Sequence, residues 1–210
     1  RLRLERFDKV VDPQLMYRHA SRRHSATIDE ETTYVTWSPH AHANESASVI
    51  DQFRDAWEAR ESATYAVVPG ADEEDAGAFA GNTGVGFKWE RQMAGLGIWL
   101  RKPFWGRRYS GERAEGLATL AFERLGVEML AVTVVPANEN SIRAVDRYID
   151  RLGGRREGRL RNYATTQDGE VYDVVRFTLS RDEFLQRASK PSVTMRETLD
   201  ESQLATSDHT

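Results

Sequence analysis

The segment Phe104-Trp105-Gly106-Arg107-Arg108-Tyr109-Ser110-Gly111-Glu112 is the part of the chain best suited to hold a phosphorylated ligand. It follows the apolar run 96–100 and opens an apolar-periodic stretch, so it reads as the turn between a strand and a helix. The first amides of a helix find no acceptor within it, and the peptide dipoles add partial positive charge there. Arg107 and Arg108 add two full charges beside them. A diphosphate-bearing cofactor is therefore the first ligand class expected. No Gly-Lys-Ser/Thr closes the turn, so it is not a Walker motif. His40-Ala41-His42 invites a metal, since alternate histidines can share a face. With no third ligand nearby and Pro39 beside them, they read as loop surface, and no metal is assigned.

The elements that must position the turn follow from periodicity. Residues 1–7 alternate as a strand would, and residues 13–24 suit a short helix. Residues 29–37 read as a loop with some β character. Val49, Phe53 and Trp57 recur every four positions, which predicts a helix over 45–60 behind an Asn44 or Ser46 cap. A strand is expected at 63–68, a solvated acidic turn at 69–76, and a strand pair at 78–89 and 96–101. After the phosphate turn, Leu117, Leu120, Ala121 and Leu125 keep helical spacing, closed by Gly126. Residues 129–135 are nearly all apolar, as in a strand covered on both faces, and stop at Pro136. Asn138 and Ser141 offer helix-cap chemistry ahead of Ile142, Val145, Ile149 and Leu152, with Gly153-Gly154 as the stop. Strands at 155–163 and 171–179 flank a turn at 167–169, and the polar composition beyond about 187 predicts a disordered tail. This mixture predicts an α/β (α+β) fold, a mixed central sheet flanked by helices, as one domain over 1–187.

With 210 residues and 40 % hydrophobic content the chain can bury one good core, removing roughly 70 % of its unfolded surface from water. Cysteine is absent, which excludes disulfides, a cysteine nucleophile and thiolate metal sites. The 29 basic and 33 acidic residues are interspersed, which argues against a nucleic-acid partner. No apolar run approaches the roughly 20 residues of a membrane span, so a soluble, cytoplasmic chain without a membrane partner is expected.

Taken in order, these motifs resemble the GNAT acetyltransferases of the RimJ/RimL type, which modify ribosomal-protein N-termini. The resemblance rests on residues 104–112, on Ala121-Phe122-Glu123-Arg124-Leu125-Gly126, on residues 136–141, on Leu152-Gly153 through Gly158, and on Asp173-Val174. It covers residues 80–184 well and the first 60 in outline. Three departures stand out: Arg108 occupies the usual central glycine, Ser110 a position usually Gly or Ala, and Gly154 the usual aromatic, after a helix longer than usual. Arg108 is tolerated if it already lies in the first helical turn, and the helical pattern that follows favours that case.

The resemblance implies the GNAT acyl-CoA N-acyltransferase fold and direct transfer of acetyl from acetyl-CoA to an amine, without an acyl-enzyme. It places pantetheine along Ile98, Trp99 and Leu100, and the diphosphate on Trp105, Gly106, Arg107, Arg108, Tyr109, Ser110, Gly111 and Glu112, with Asn138 and Ser141 completing the cofactor site. The thiolate donor of many members is a tyrosine at the position of Val145, so Ser141 is the favoured donor and Tyr148 the substitute. The two lie about 10 Å apart at helical rise, so they cannot share one task. Glu90, Glu112 or an ordered water is left open as the base. The implied acceptor is a protein N-terminal α-amine, next a small amine, for a monomer or homodimer; a non-catalytic acyl-CoA-binding regulatory module is the alternative from another class.

Overall fold

The computed structural model describes residues 1–165, 169–187 and 193–195. The turn expected at 167–169, save Gly169, and most of the expected tail lie outside the described residues. In chain order the elements are β1 (Leu2–Arg6), α1 (Phe7–Val10), α2 (Pro13–Ala20), α3 (Ile28–Glu31), α4 (Ala43–Glu58), β2 (Ser62–Pro69), β3 (Gly81–Lys88) and β4 (Met93–Leu100). They continue with α5 (Tyr109–Glu123), β5 (Met129–Val134), α6 (Glu139–Leu152), β6 (Arg155–Thr165), β7 (Val171–Ser180) and α7 (Arg181–Gln186).

The strands form one mixed sheet in the order β1-β2-β3-β4-β5-β7-β6. Every neighbouring pair is antiparallel except β4 and β5. That parallel pair is short: Met93, Ala94 and Gly95 meet Met129, Leu130 and Ala131, and beyond them the strands part. Residues 96–100 and 132–134 thus border an opening in the middle of the sheet. Since α5 follows β4 and α6 follows β5, both helices begin at its wide end, the C-terminal ends of the parallel strands, where open α/β sheets bind ligands.

Helices cover both faces, as the mixed pattern of the sequence requires. The pleat sends alternate residues to opposite sides: Ala94 and Leu96 join α5 and α6 in one core with Leu117, Phe122, Leu130, Phe177 and Phe184. Trp99 joins the other with Phe7, Met16, Ile28, Ile50 and Phe79 from the α1–α4 side. Phe7 meets Phe53 edge-on at 5.3 Å, and Trp99 meets Trp37 likewise at 5.3 Å. On this second face the cross-strand pairs Gly84–Gly97 and Gly86–Gly95 leave a bare strip beside the opening. No described helix is long and apolar enough to cross a membrane.

Several expectations need correction. Residues 28–31 are a helical turn rather than a loop with β character, because the buried Glu31 carboxylate accepts the Thr27 hydroxyl at 2.7 Å and the distant Lys102 amide at 2.8 Å. Helix α4 is not capped by Asn44 or Ser46; His42 precedes it without a side-chain cap, and Glu45 reaches back to the Ala41 amide. Ser46 is instead buried against His40, its Oγ 2.7 Å from Nδ1, so His40 belongs to the interior and not to a loop surface. In β5 only Leu130, Val132 and Val134 are buried, and Thr133 is exposed, so one face is covered. Helix α7 escaped the periodicity reading, although Ser180 and Glu183 form a capping box and Phe184 packs on Phe122.

His19 carries a pH prediction. Burial, then the charges of Arg101 and Arg18, lower its pKa from 6.5 to about 4. The unfolded chain therefore binds the extra proton first, so stability is lost as pH falls from 6.5 toward 4 and is unaffected by this group above that window. In urea unfolding followed across pH, His19→Gln is expected to lose less stability over that interval than the parent chain.

Candidate cofactor and catalytic site

The turn after β4 is built by local geometry. Lys102-Pro103-Phe104 make one 3-10 turn, the Trp105 indole donates to the Leu100 carbonyl at 2.7 Å, and Gly106 follows at φ 77°. Arg108 then caps α5 with φ 66° and ψ 13°. This corrects the expectation of a helical Arg108: it stands in the left-handed region that glycine serves in the resembled pattern, at a cost of about 1 kcal/mol. Such strain in a loop is retained where the surroundings hold it and commonly marks function. Among the described residues no acceptor takes the amides of Gly106, Arg107 and Arg108, so they are free for an anion.

A cavity of about 570 Å³ opens over this turn, lined by Arg1, Gly106, Arg107, Arg108, Glu112, Glu115 and Arg151. Four guanidinium groups against two carboxylates make it a seat for phosphates. The acidic turn at residues 69–76, expected to be merely solvated, braces it from below. Asp75 pairs with Arg107 at 2.7 Å, and Glu73 accepts the Tyr109 hydroxyl at 2.6 Å and pairs with Arg1 at 3.4 Å. Burial and that carboxylate push the Tyr109 phenol above its usual range. Nothing in the spacing links residues 73 and 75 to 107 and 109; the chain brings them together only through the sheet.

The remaining predicted site residues divide into two groups. The structure brings Trp105, Gly106, Arg107, Arg108, Ser110, Gly111 and Glu112 together at the cavity or on its turn, whereas the Tyr109 ring is turned inward beside Phe104. On β4, Ile98 and Leu100 lie on the α5 side by register, and the Trp99 ring is buried in the opposite core, its Nε1 without a hydrogen-bond partner among the described residues. Asn138 caps α6, its side chain accepting the Ser141 amide at 3.1 Å. Ser141 is half-buried in the first turn of α6, at the β5 side of the opening. Glu90 is exposed in the turn between β3 and β4, at the end of β4 remote from residues 104–112.

Tyr148 is not brought to Ser141. Its ring is 3 % exposed, with the Arg113 guanidinium 5.8 Å from its centre. Arg113 is itself buried, and among the described residues its Nε and Nη1, like the Tyr148 hydroxyl, have no partner at hydrogen-bond distance. Burial holds the guanidinium below its usual range and pushes the phenol up, opposed by the Arg113 charge. An arginine inside an apolar helical pattern is the one sequence signal that could have drawn attention to this pair.

An opening between parallel strands, flanked by two helix N-termini with an arginine turn at one of them, is the framework of a protein that seats a phosphorylated ligand at its strand ends. Residues 1–148 match the Acetyltransferase (GNAT) domain, and the chain belongs to the GNAT acetyltransferase family, an N-acetyltransferase whose family uses acetyl-CoA. It is 23 % identical over 155 residues to the uncharacterized N-acetyltransferase p20 of Bacillus licheniformis, across 74 % of this chain and 83 % of that protein. A candidate ribosomal-protein-serine acetyltransferase from Vibrio cholerae superposes with TM-score 0.66 at 22 % identity, covering 86 % of this chain and 94 % of that one. A spermidine N-acetyltransferase from Vibrio cholerae, crystallised with CoA and spermine, gives 0.67 at 13 % identity, covering 88 % and 98 %. At such identities these two structures show the shared fold.

Proposed function

We propose that this chain acetylates protein N-terminal α-amines, with acetyl-CoA supplying the activated acetyl group. The observation that carries the reading is the arginine-lined cavity at the N-terminus of α5, continuous in sequence with the strand that borders the opening. Free turn amides, Arg107 and Arg108 fit a diphosphate, and the opening beyond Gly95 fits an extended arm leading toward Ser141. The acceptor comes from the bare face of Gly95 and Gly97. Its neutral nitrogen attacks the thioester carbonyl carbon and loses its proton to water, the carbon–sulfur bond breaks, and Ser141 Oγ protonates the departing sulfur before recovering a proton from solvent. A half-buried hydroxyl at the first turn of a helix is favourably placed to face developing negative charge.

The ordered motifs shared with the RimJ/RimL type and the Vibrio ribosomal-protein-serine relative support a protein N-terminus. The spermidine enzyme of the same fold supports a small amine as the second reading. Incubating the protein with acetyl-CoA, peptides of varied first residue and spermidine separates them by thiol release and mass spectrometry. Acetyl groups on peptide α-amines are expected; turnover confined to spermidine overturns the acceptor assignment, and cofactor binding without thiol release from any amine favours the regulatory module.

Arg108 makes a sharper prediction. Arg108→Gly relieves a left-handed arginine and is expected to raise unfolding stability by up to about 1 kcal/mol, part of the gain being lost to the freer unfolded chain. The same change removes a charged donor from the cavity and is expected to weaken acetyl-CoA binding about tenfold. Calorimetric titration beside thermal melting reads both. A glycine variant that binds more tightly would show that the arginine obstructs the phosphate.

A further inference from the structure

Helix α6 runs on to Leu152 before Gly153, at φ 94°, ends it. Its last two turns carry Tyr148 and Arg151, and both touch the start of α5. A Cβ placed on Gly111 would lie 3.2 Å from Tyr148 Cβ and 3.5 Å from Arg151 Nη2, so the missing side chain at 111 is what lets the two helices close here. Tyr148, buried against Arg113, sets the rotation of α6. Arg151 is thereby turned to the rim of the phosphate cavity, where Nη2 lies 3.4 Å from the Gly111 carbonyl oxygen and 3.3 Å from Glu115 Oε2.

The charges of this cavity are unequally committed. Arg107 is held by Asp75, and Arg1 by Glu73 and the Arg107 carbonyl. Arg151 meets the Gly111 carbonyl and Glu115 at long range, 3.4 and 3.3 Å, and its side chain is 56 % exposed. Exposed pairs of this kind contribute little and open readily. Arg151 reaches the cavity from α6, against Gly111 and Glu115 of α5, on the side of the turn away from Arg107 and its Asp75 partner. A CoA-type ligand carries a further phosphate, the ribose 3′-monoester, with about −1.5 to −2 charge near neutral pH.

We propose that Arg151 is a specificity residue for that 3′-phosphate, brought to the cavity by the last turn of α6, and that through it the protein distinguishes CoA from 3′-dephospho-CoA. The proposal rests on the acetyl-CoA reading above. When the phosphate arrives, Arg151 exchanges the Glu115 carboxylate for a dianion, which it can engage through two parallel N–H donors.

Calorimetric titration of acetyl-CoA and 3′-dephospho-acetyl-CoA into the parent chain, Arg151→Gln and Arg151→Lys tests it. The parent is expected to prefer acetyl-CoA by at least about tenfold, Arg151→Gln to lose that preference by weakening for acetyl-CoA alone, and Arg151→Lys to keep part of it. Thermal melts of the unliganded variants show whether the fold is intact; a structural role would lower affinity for both ligands alike. Equal weakening for both, or undiminished preference in Arg151→Gln, overturns the proposal. A parent chain that binds neither ligand overturns the acetyl-CoA reading itself.

Discussion

Ser141→Ala is expected to lower kcat roughly 100-fold while leaving the melting temperature and acetyl-CoA affinity close to those of the parent. A positioned general acid contributes about 100-fold or more, equivalent to about 2.7 kcal/mol in the barrier. The fold is spared because Asn138 caps the helix through the backbone amide of residue 141, which alanine retains. Ser141→Thr, which keeps a hydroxyl, is expected to recover most of the rate. Tyr148→Phe removes a buried oxygen that no described residue meets at hydrogen-bond distance, away from Ser141, and is expected to change kcat little. Steady-state kinetics on the three variants with one peptide acceptor decide between the hydroxyls: a large loss in Tyr148→Phe with a small one in Ser141→Ala would transfer the role to the tyrosine.

Gly154→Ala is expected to destabilise the protein by about 3 kcal/mol, a fall of about 10 °C in Tm for a chain of this size. A Cβ at 154 runs into the Thr178 carbonyl oxygen of β7, and it would also come within 3.0 Å of Ile149 Cγ2 and 3.1 Å of Leu179 Cβ. None of these can retreat cheaply, since the first is backbone paired within the sheet and the others lie in the main core. The resembled pattern has an aromatic here, so restoring the consensus residue with Gly154→Phe, ordinarily a stabilising move, is expected to prevent folding. Thermal melts of the two variants check this. A Gly154→Ala protein melting within a degree or two of the parent would mean that β6 and β7 shift at little cost.

Both predictions depend on how α6 is placed, and the sequence was informative about one end of that helix only. Asn138 and Ser141 announce its start because capping is local: the donor and acceptor are three residues apart. At the other end, Gly153 is legible as a left-handed stop, but the need for glycine at 154 comes from a strand more than twenty residues away. The acidic turn shows the same division. Its charges suggested solvent, and only the sheet carries Glu73 and Asp75 beneath Tyr109 and Arg107. Helix α3 also answers to a distant partner, the Lys102 amide, which outweighs weak local preference.

By itself the sequence determined the layered α/β class, most of the strands, the helices α2, α4, α5 and α6, and the ordered motifs that place a phosphate turn ahead of α5. These are local matters of periodicity, capping and turn chemistry, decided within a few residues. The tertiary structure alone decided where β4 and β5 part, that Arg108 is left-handed, that Tyr148 is buried against Arg113, and that Arg151 joins the phosphate cavity. Each of these depends on groups far apart in the chain, whose positions follow from packing two helices on one sheet.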